Sequence, residues 1–249
     1  MIKSLVKNIL SATVRTLPPK VLTYVESEIS AGKLDRILRD LPTHGVDIST
    51  VYDIGAHKGD WALSIKKSLP AADLFMFEAN VSNEAHLKRT GFWYRIGILS
   101  DAVKQVAFFG EGGTGASYYK ENTGLYSDIP ALTQEAQTLD GVMQEADLPR
   151  PDFIKIDTQG SELDILKGAT DCLGAAKLVL LECPIYPYNI GAPDMGEIVD
   201  FLLGKGLFPA ASIEMHDRFG VLVQVDIVFV EKSILARMDP GFESFFMAG

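Results

Sequence analysis

From residue 50 onward the chain alternates short apolar runs of strand length with stretches of helical spacing. The strands are expected at Thr50–Ile54, Leu74–Phe77, Trp93–Leu99, Pro151–Asp157 and Leu178–Leu181, with an added one at Val106–Phe109. Helical spacing is expected over Trp61–Leu69, Glu84–Lys88, Thr138–Asp147, Ser161–Gly168 and Met195–Lys205, with Ser161 at the mouth of its helix and Gly168 at its end. This β–α alternation predicts an α/β fold with a mostly parallel sheet. Two further strands, Ala210–Met215 and Val225–Val230, are separated by a turn at His216–Gly220. They are too close for a crossover and must form an antiparallel hairpin at the sheet edge.

Upstream, Ile2, Leu5, Val6, Ile9, Leu10, Val14 and Leu17 follow an i, i+3, i+4 pattern with Lys3, Lys7 and Arg15 between them. Such a stripe either docks on the domain or a second subunit, or lies on a membrane surface. Pro18-Pro19 stops it, and helical stretches at Lys20–Ile29 and Leu34–Leu41 follow, closed by Pro42 and Gly45. The expected division is an N-terminal helical extension over 1–45, one catalytic-size domain over 46–235 and a tail over 236–249. Gly110 to Gly115 holds four glycines in six residues, and with the following Ala116-Ser117-Tyr118-Tyr119 it reads as a ligand-clamping loop. Residues 120–135 read as a partly ordered excursion.

Composition narrows the class. A chain of 249 residues that is 47% hydrophobic can bury a full α/β core. A net charge of −10 with no basic stripe argues against nucleic-acid binding. Cys172 and Cys183 give neither a disulfide framework nor zinc spacing, which points to a reducing, cytoplasmic setting. No apolar run approaches the ~18 residues of a membrane span, and the N-terminus lacks the layout of a signal peptide.

The candidate chemistry centres on the stretch Val51 to Trp61. It ends a strand in Asp53, turns on Gly55 and Gly59, and opens a helix. Glycines at such a turn allow backbone amides to approach a ligand at the positive end of a helix. The pattern D-x-G-x-x-x-G is not that of a pyrophosphate binder. G-x-G-x-x-G would need glycines where His57 and Asp60 stand, which disfavours an NAD oxidoreductase. A cofactor without phosphates, such as S-adenosylmethionine (SAM), tolerates the looser turn. Glu78 ends the second strand 25 residues after Asp53 and can accept both hydroxyls of a ribose. Asn80 either caps the next helix or touches the cofactor.

Several segments together resemble the FkbM family of SAM-dependent methyltransferases. They are Asp53-Ile54-Gly55-Ala56-His57-Lys58-Gly59-Asp60, Phe77-Glu78-Ala79-Asn80, Leu99-Ser100-Asp101, Thr138-Leu139-Asp140, Phe153 to Leu163 with Leu166-Lys167-Gly168-Ala169, and Gln224 to Val230. The resemblance covers about residues 48–232. It implies a Rossmann-like sheet of seven strands in the order 3-2-1-4-5-7-6, with SAM as cofactor. It also implies O-methyl transfer to sugars, polyketides or other small acceptors. By the same resemblance Asp53, Gly55, Ala56, His57, Gly59, Glu78, Ala79 and Asp157 belong to the SAM site, with Asn80, Ser100 and Asp101 toward the adenine. The family often has Glu where this chain has Gln159, so any role there is that of an amide.

Asp157 ends the strand beside the first and is expected nearest the transferred methyl group, as acid–base residue or electrostatic partner; the plainer reading is a helix cap. Alternation puts Lys155 on the same side, as a structural partner of Asp157. Glu162 in the first helical turn reads as dipole stabilisation. Glu182, ending the fifth strand, is the second candidate base, and His216 in the hairpin loop is a third catalytic candidate. A metal at Asp157 and Glu182 has no supporting ligand spacing, so none is expected. The expected function is O-methylation of a hydroxyl, on a sugar of a glycan or glycolipid precursor. A SAM-binding protein without catalysis and an NAD-dependent oxidoreductase are the alternatives.

Overall fold

The computed structural model describes residues 32–109, 116–120, 131–186, 189–239 and 241. The stripe over 1–17, the helix expected at Lys20–Ile29, the glycine loop 110–115 and residues 121–130 lie outside them. The described chain enters through helix α1 (32–40) and a 3₁₀ turn at Leu41–His44. Leu34, Leu38 and Leu41, spaced to share one helical face, bury against the domain.

The elements then run β1 (Thr50–Ile54), α2 (Asp60–Ser68), β2 (Asp73–Glu78), α3 (Glu84–Thr90), β3 (Trp93–Ile96), β4 (Ile98–Leu99), β5 (Lys104–Phe108) and β6 (Leu132–Gln137). After these come α4 (Leu139–Glu145), β7 (Phe153–Ile156), α5 (Glu162–Lys167), α6 (Thr170–Ala175), β8 (Leu178–Pro184), α7 (Met195–Gly204), β9 (Leu207–Arg218), β10 (Val221–Glu231) and α8 (Lys232–Met238). The main sheet has the order β3-β2-β1-β7-β8-β10-β9. Its first five strands are parallel, and β10 runs antiparallel to both neighbours. This is the expected seven-strand order with its terminal hairpin.

Both faces of the sheet are covered, which is why its central strands read as continuous apolar runs. Tyr52, Ile154, Ile156 and Leu181 face α4, α5, α6 and α7, while Val51, Phe153, Leu180 and Val228 face α1, α2 and α8. Cys172 and Cys183 are free and buried.

Five details depart from the sequence expectations. The run Trp93–Leu99 is broken at Gly97, whose N–H donates to the Glu78 carbonyl. Past it, β4 leaves the main sheet for a small one of order β4-β6-β5. Strand β6 begins inside the expected excursion and runs two residues past it; only Ala136 of its residues is buried, so it carried no hydrophobic signature. The hairpin strands are longer than expected and turn at Phe219-Gly220, so His216 sits within β9 rather than in a loop. Helices α6 and α8 were not expected, and α8 crosses residue 235 with Ile234 and Leu235 buried. Ser161 makes no capping bond and Gly168 keeps a negative φ of −82°. Gly168 is instead a place of close approach, since a Cβ there would stand 2.2 Å from the Ser100 carbonyl oxygen.

Candidate active site

The carboxyl ends of β1, β2, β7 and β8 meet at a cavity of about 340 Å³. That is the lower end of the range for small-molecule sites. One end is apolar, walled by Phe77, Ile98, Leu99, Phe108 and Tyr118. The other is polar, with Asp157, Thr158, Gln159, Ser161 and Glu182. Gly55, His57, Glu78 and Ala79 lie between.

Three amides of the glycine turn are committed to acceptors within the protein. The N–H groups of Gly55 and Ala56 both donate to the Phe77 carbonyl, at 2.9 and 3.1 Å. The His57 N–H donates to Glu78 Oε2 at 2.6 Å, and the Asn80 N–H to Glu78 Oε1 at 2.8 Å. These bonds fix the Glu78 carboxylate at the cavity wall while leaving each oxygen a further lone pair. Turn and acidic residue are thus one unit, with the backbone amides orienting the side chain.

Below the cavity Lys155 joins two aspartates, Asp53 buried and Asp157 open to the cavity. Lys155 Nζ lies 3.3 Å from Asp53 Oδ1 and 3.2 Å from Asp157 Oδ2, and donates to the Gly55 carbonyl at 3.3 Å. The Lys155 ammonium also stands 5.7 Å from the Trp61 ring centre. Asp53 is fully buried, and neither of its oxygens has a hydrogen-bond partner among the described residues. Burial pushes the Asp53 carboxyl up, with Lys155 pulling against that shift. Burial disfavours the Lys155 charge, but its two aspartates outweigh this and hold the ammonium well above the usual lysine range.

At the polar end the environments of two carboxyls diverge. Burial works against the Asp157 charge, yet Lys155 and hydrogen bonds from Glu182, Lys155 and Gln159 outweigh it and hold the carboxyl below the usual range. Burial, then the charge of Asp157 and the hydrogen bond donated to it, push Glu182 well above. The surroundings therefore favour the proton on Glu182 and the charge on Asp157. Gln159 Nε2 donates to Glu182 Oε1 at 3.0 Å and reaches Asp157 Oδ1 at 3.5 Å.

The loop bearing Gln159 is unusual, with Gln159 and Gly160 both left-handed at φ 58° and 103°. Glu162, 1% exposed, holds it: its carboxylate accepts from the backbone N–H of Thr158 and of Gly160 and from Thr158 Oγ1. Asn189 Nδ2 donates to the Gln159 carbonyl. Glu162 thus does more than meet a helix dipole, and it was the residue sequence reasoning undervalued. Its signal was a Glu two residues after a glycine that needs positive φ.

Over the apolar end runs the segment 116–120. Tyr118 Oη donates to Asp164 Oδ2 at 2.8 Å and lies 3.2 Å from Ser100 Oγ; Tyr119 Oη reaches the same Asp164 oxygen at 2.8 Å. Tyr118 belongs to the stretch that follows the glycine loop and was expected with it to clamp a ligand, but no sequence pattern links it to Asp164.

Of the residues predicted for the site, Gly55, His57, Glu78, Ala79, Asp157 and Glu182 line the cavity. Asp53 lies beneath, behind Lys155. Ala56 is buried, and Gly59 is the left-handed N-cap of α2 at φ 83°. Asn80 caps a 3₁₀ turn by accepting from the Ser82 N–H at 3.1 Å. Ser100 is buried against Tyr118, and Asp101 faces solvent, its carboxyl lowered by the Lys104 hydrogen bond. His216 lies outside the cavity, 3.8 Å from Asp226.

An apolar slot closed by a fixed carboxylate suits a nucleoside, and an ionised aspartate at its far end suits a positive sulfonium. Together with the strand order, these features suit the binding of SAM in a methyltransferase-type fold. The family model of the FkbM methyltransferase domain matches residues 53–207, more than half of the chain. The chain belongs to that family, and its cofactor is SAM rather than a nicotinamide dinucleotide. It is similar to the hexuronic acid methyltransferase AglP of Haloferax volcanii, at 24% identity over 59% of this chain and 60% of the relative, and so spans about three fifths of that protein's length. Among solved structures it is similar to a precorrin-6y C5,15-methyltransferase of Geobacter metallireducens, with a TM-score of 0.43 and 14% identity over 80% of this chain and 88% of the other. It is similar too to the magnesium protoporphyrin IX methyltransferase of Synechocystis, with bound SAM, with a TM-score of 0.42 and 11% identity over 81% and 79%. No helix among the described residues is long and apolar enough to cross a membrane.

Proposed function

We propose that the chain transfers the methyl group of SAM to a hydroxyl of a sugar in a glycan or glycolipid precursor. The observation that carries this reading is the split carboxyl pair at the polar end of the cavity. Methyl transfer to oxygen needs an in-line approach and a place for the hydroxyl proton. The bound cofactor supplies an electrophilic methyl group, and the residues here supply the rest. Glu78 and the apolar wall hold a nucleoside. Asp157, kept ionised by Lys155, faces the positive charge and orients the incoming hydroxyl. Glu182, whose raised pKa suits proton exchange, takes the hydroxyl proton at its carboxylate once it has released its own, a contribution of ~10²–10⁴-fold. His216, near Asp226 on the hairpin, borders the acceptor side.

The name of the relative from Haloferax volcanii supports hexuronic acids as the first acceptors to try. The test is incubation with SAM and glucuronic or galacturonic acid glycosides, followed by mass spectrometry and alkaline hydrolysis of the product. An alkali-stable methyl ether is the expected result and excludes a protein that only binds SAM. An alkali-labile methyl ester, or transfer to nitrogen alone, refutes the hydroxyl reading.

A further inference from the structure

The hairpin carries a second polar cluster beside the acid–base pair. Glu214, His216 and Asp226 each offer one ligand atom, and these atoms lie within 4.8 Å of one another. Three groups sharing a first-row ion through bonds of ~2.1 Å stand roughly 3–4 Å apart, so a small rotation of the side chains closes the set. The backbone is shaped for this meeting. The β9–β10 register passes from Val225 opposite Met215 to Ile227 opposite Ser212, which leaves one extra residue on β9 facing Asp226. Glu214 and His216 share a face by alternation, and the extra residue lies opposite Asp226.

A second, independent observation points to a missing partner. Asp226 Oδ1 is closed off from solvent, on a side chain that is 24% exposed as a whole, and has no hydrogen bond among the described residues. His216 Nε2 is 3.8 Å away, too far for a hydrogen bond. Asp226 is also the cross-strand neighbour of Glu182, so the cluster borders the polar end of the cavity.

We propose that Glu214, His216 and Asp226 form a binding site for a divalent cation of the manganese-to-zinc class. One imidazole and two carboxylates suit those ions better than calcium or magnesium, which favour all-oxygen surroundings. Two carboxylates balance the ion's charge, and three protein ligands leave coordination positions for oxygens of an acceptor. That use, though not the site itself, rests on the sugar-acceptor reading. A uronate approaching Asp157, Glu214 and Asp226 meets repulsion that a bound dication removes.

The experiment is titration of the EDTA-stripped full chain with Mn²⁺, followed by electron paramagnetic resonance, with SAM affinity measured on the same samples. The expected result is one saturable Mn²⁺ site, weakened about tenfold or more in both His216→Ala and Asp226→Asn. Unchanged SAM affinity in both variants shows that they remain folded. No saturable Mn²⁺ binding by the wild type, or undiminished binding by both variants, overturns the site. Mn²⁺ binding that persists without any uronate methylation keeps the site and removes only its assigned use.

Discussion

Gly55 and Asp157 meet backbone to backbone: a Cβ on Gly55 would stand 1.8 Å from the Asp157 carbonyl oxygen. The first glycine of the turn is needed because β7 ends against it, and its φ of 75° adds a second demand. Gly91, at φ 78° with nothing within 4 Å of the added Cβ, supplies a control. Gly91→Ala should cost about 1–2 kcal/mol, the left-handed penalty alone. Gly55→Ala should cost about 1–3 kcal/mol more through overpacking and should abolish SAM binding. Equal urea midpoints for the two variants would refute the close-approach account.

Lys155→Met should destabilise the protein by about 3–5 kcal/mol, because it strands Asp53, which is fully buried, without its cation. Adding Asp53→Asn should recover part of that loss, which equilibrium unfolding of the single and double variants would show. The Lys155 pKa is raised on folding, so its stabilisation is complete below the ordinary lysine value near ~10.4 and fades as pH rises through the folded value. Across neutral pH the Lys155 titration should therefore add no pH dependence of its own.

Glu182 behaves in the opposite sense. A carboxyl whose pKa is raised on folding carries no penalty below its ordinary value, and a growing one as pH climbs toward its folded value. Urea midpoints of wild type and Glu182→Gln should lie closest in acid and separate with rising pH, in favour of the variant. The same titration should appear in the reaction: kcat/KM of the wild type rises with pH, and Glu182→Gln removes that limb. A pH profile unchanged by the substitution would exclude Glu182 as the proton acceptor.

Glu78→Ala should weaken SAM binding by more than about tenfold, a loss above ~1.4 kcal/mol, as read by calorimetric titration. Two backbone amides already point at this carboxylate, so its removal also leaves the His57 and Asn80 N–H groups unpaired. Retained affinity would place the nucleoside elsewhere.

Tyr118→Phe deletes the hydroxyl that joins segment 116–120 to Asp164 and Ser100. The expected effect is a three- to tenfold weaker SAM affinity, on the order of one hydrogen bond, with little change in unfolding midpoint. A large fall in global stability with unaltered affinity would make the tether a fold element instead.

The parallel core was legible because burial on both faces writes itself as β-branched and apolar runs bounded by Gly and Pro, as at Thr50–Ile54 and Leu178–Leu181. The small sheet was not, since β6 buries only Ala136 and takes its stability from pairing with β4 and β5. Glu78, Asp157 and Glu182 could be placed because the ends of parallel strands sit side by side whatever the loops do. The Gln159 loop could not, because its shape depends on Glu162 and Asn189 reaching back to backbone atoms. His216 was misplaced by a turn chemistry that favours Asn-Gly, whereas the chain makes its two-residue turn from Phe219 and Gly220.

The strand order has a consequence for how the molecule is made. Within the main sheet, β9 is hydrogen-bonded to β10 alone, and β10 is the strand that joins it to β8. A nascent chain that has emerged only as far as Arg218 has no partner in the sheet for the strand bearing Glu214 and His216. The edge forms only when β10 slides between its two neighbours, after the chain has emerged through Glu231. A message truncated between the codons for Arg218 and Val221 would yield a chain with most of its parallel core and no hairpin.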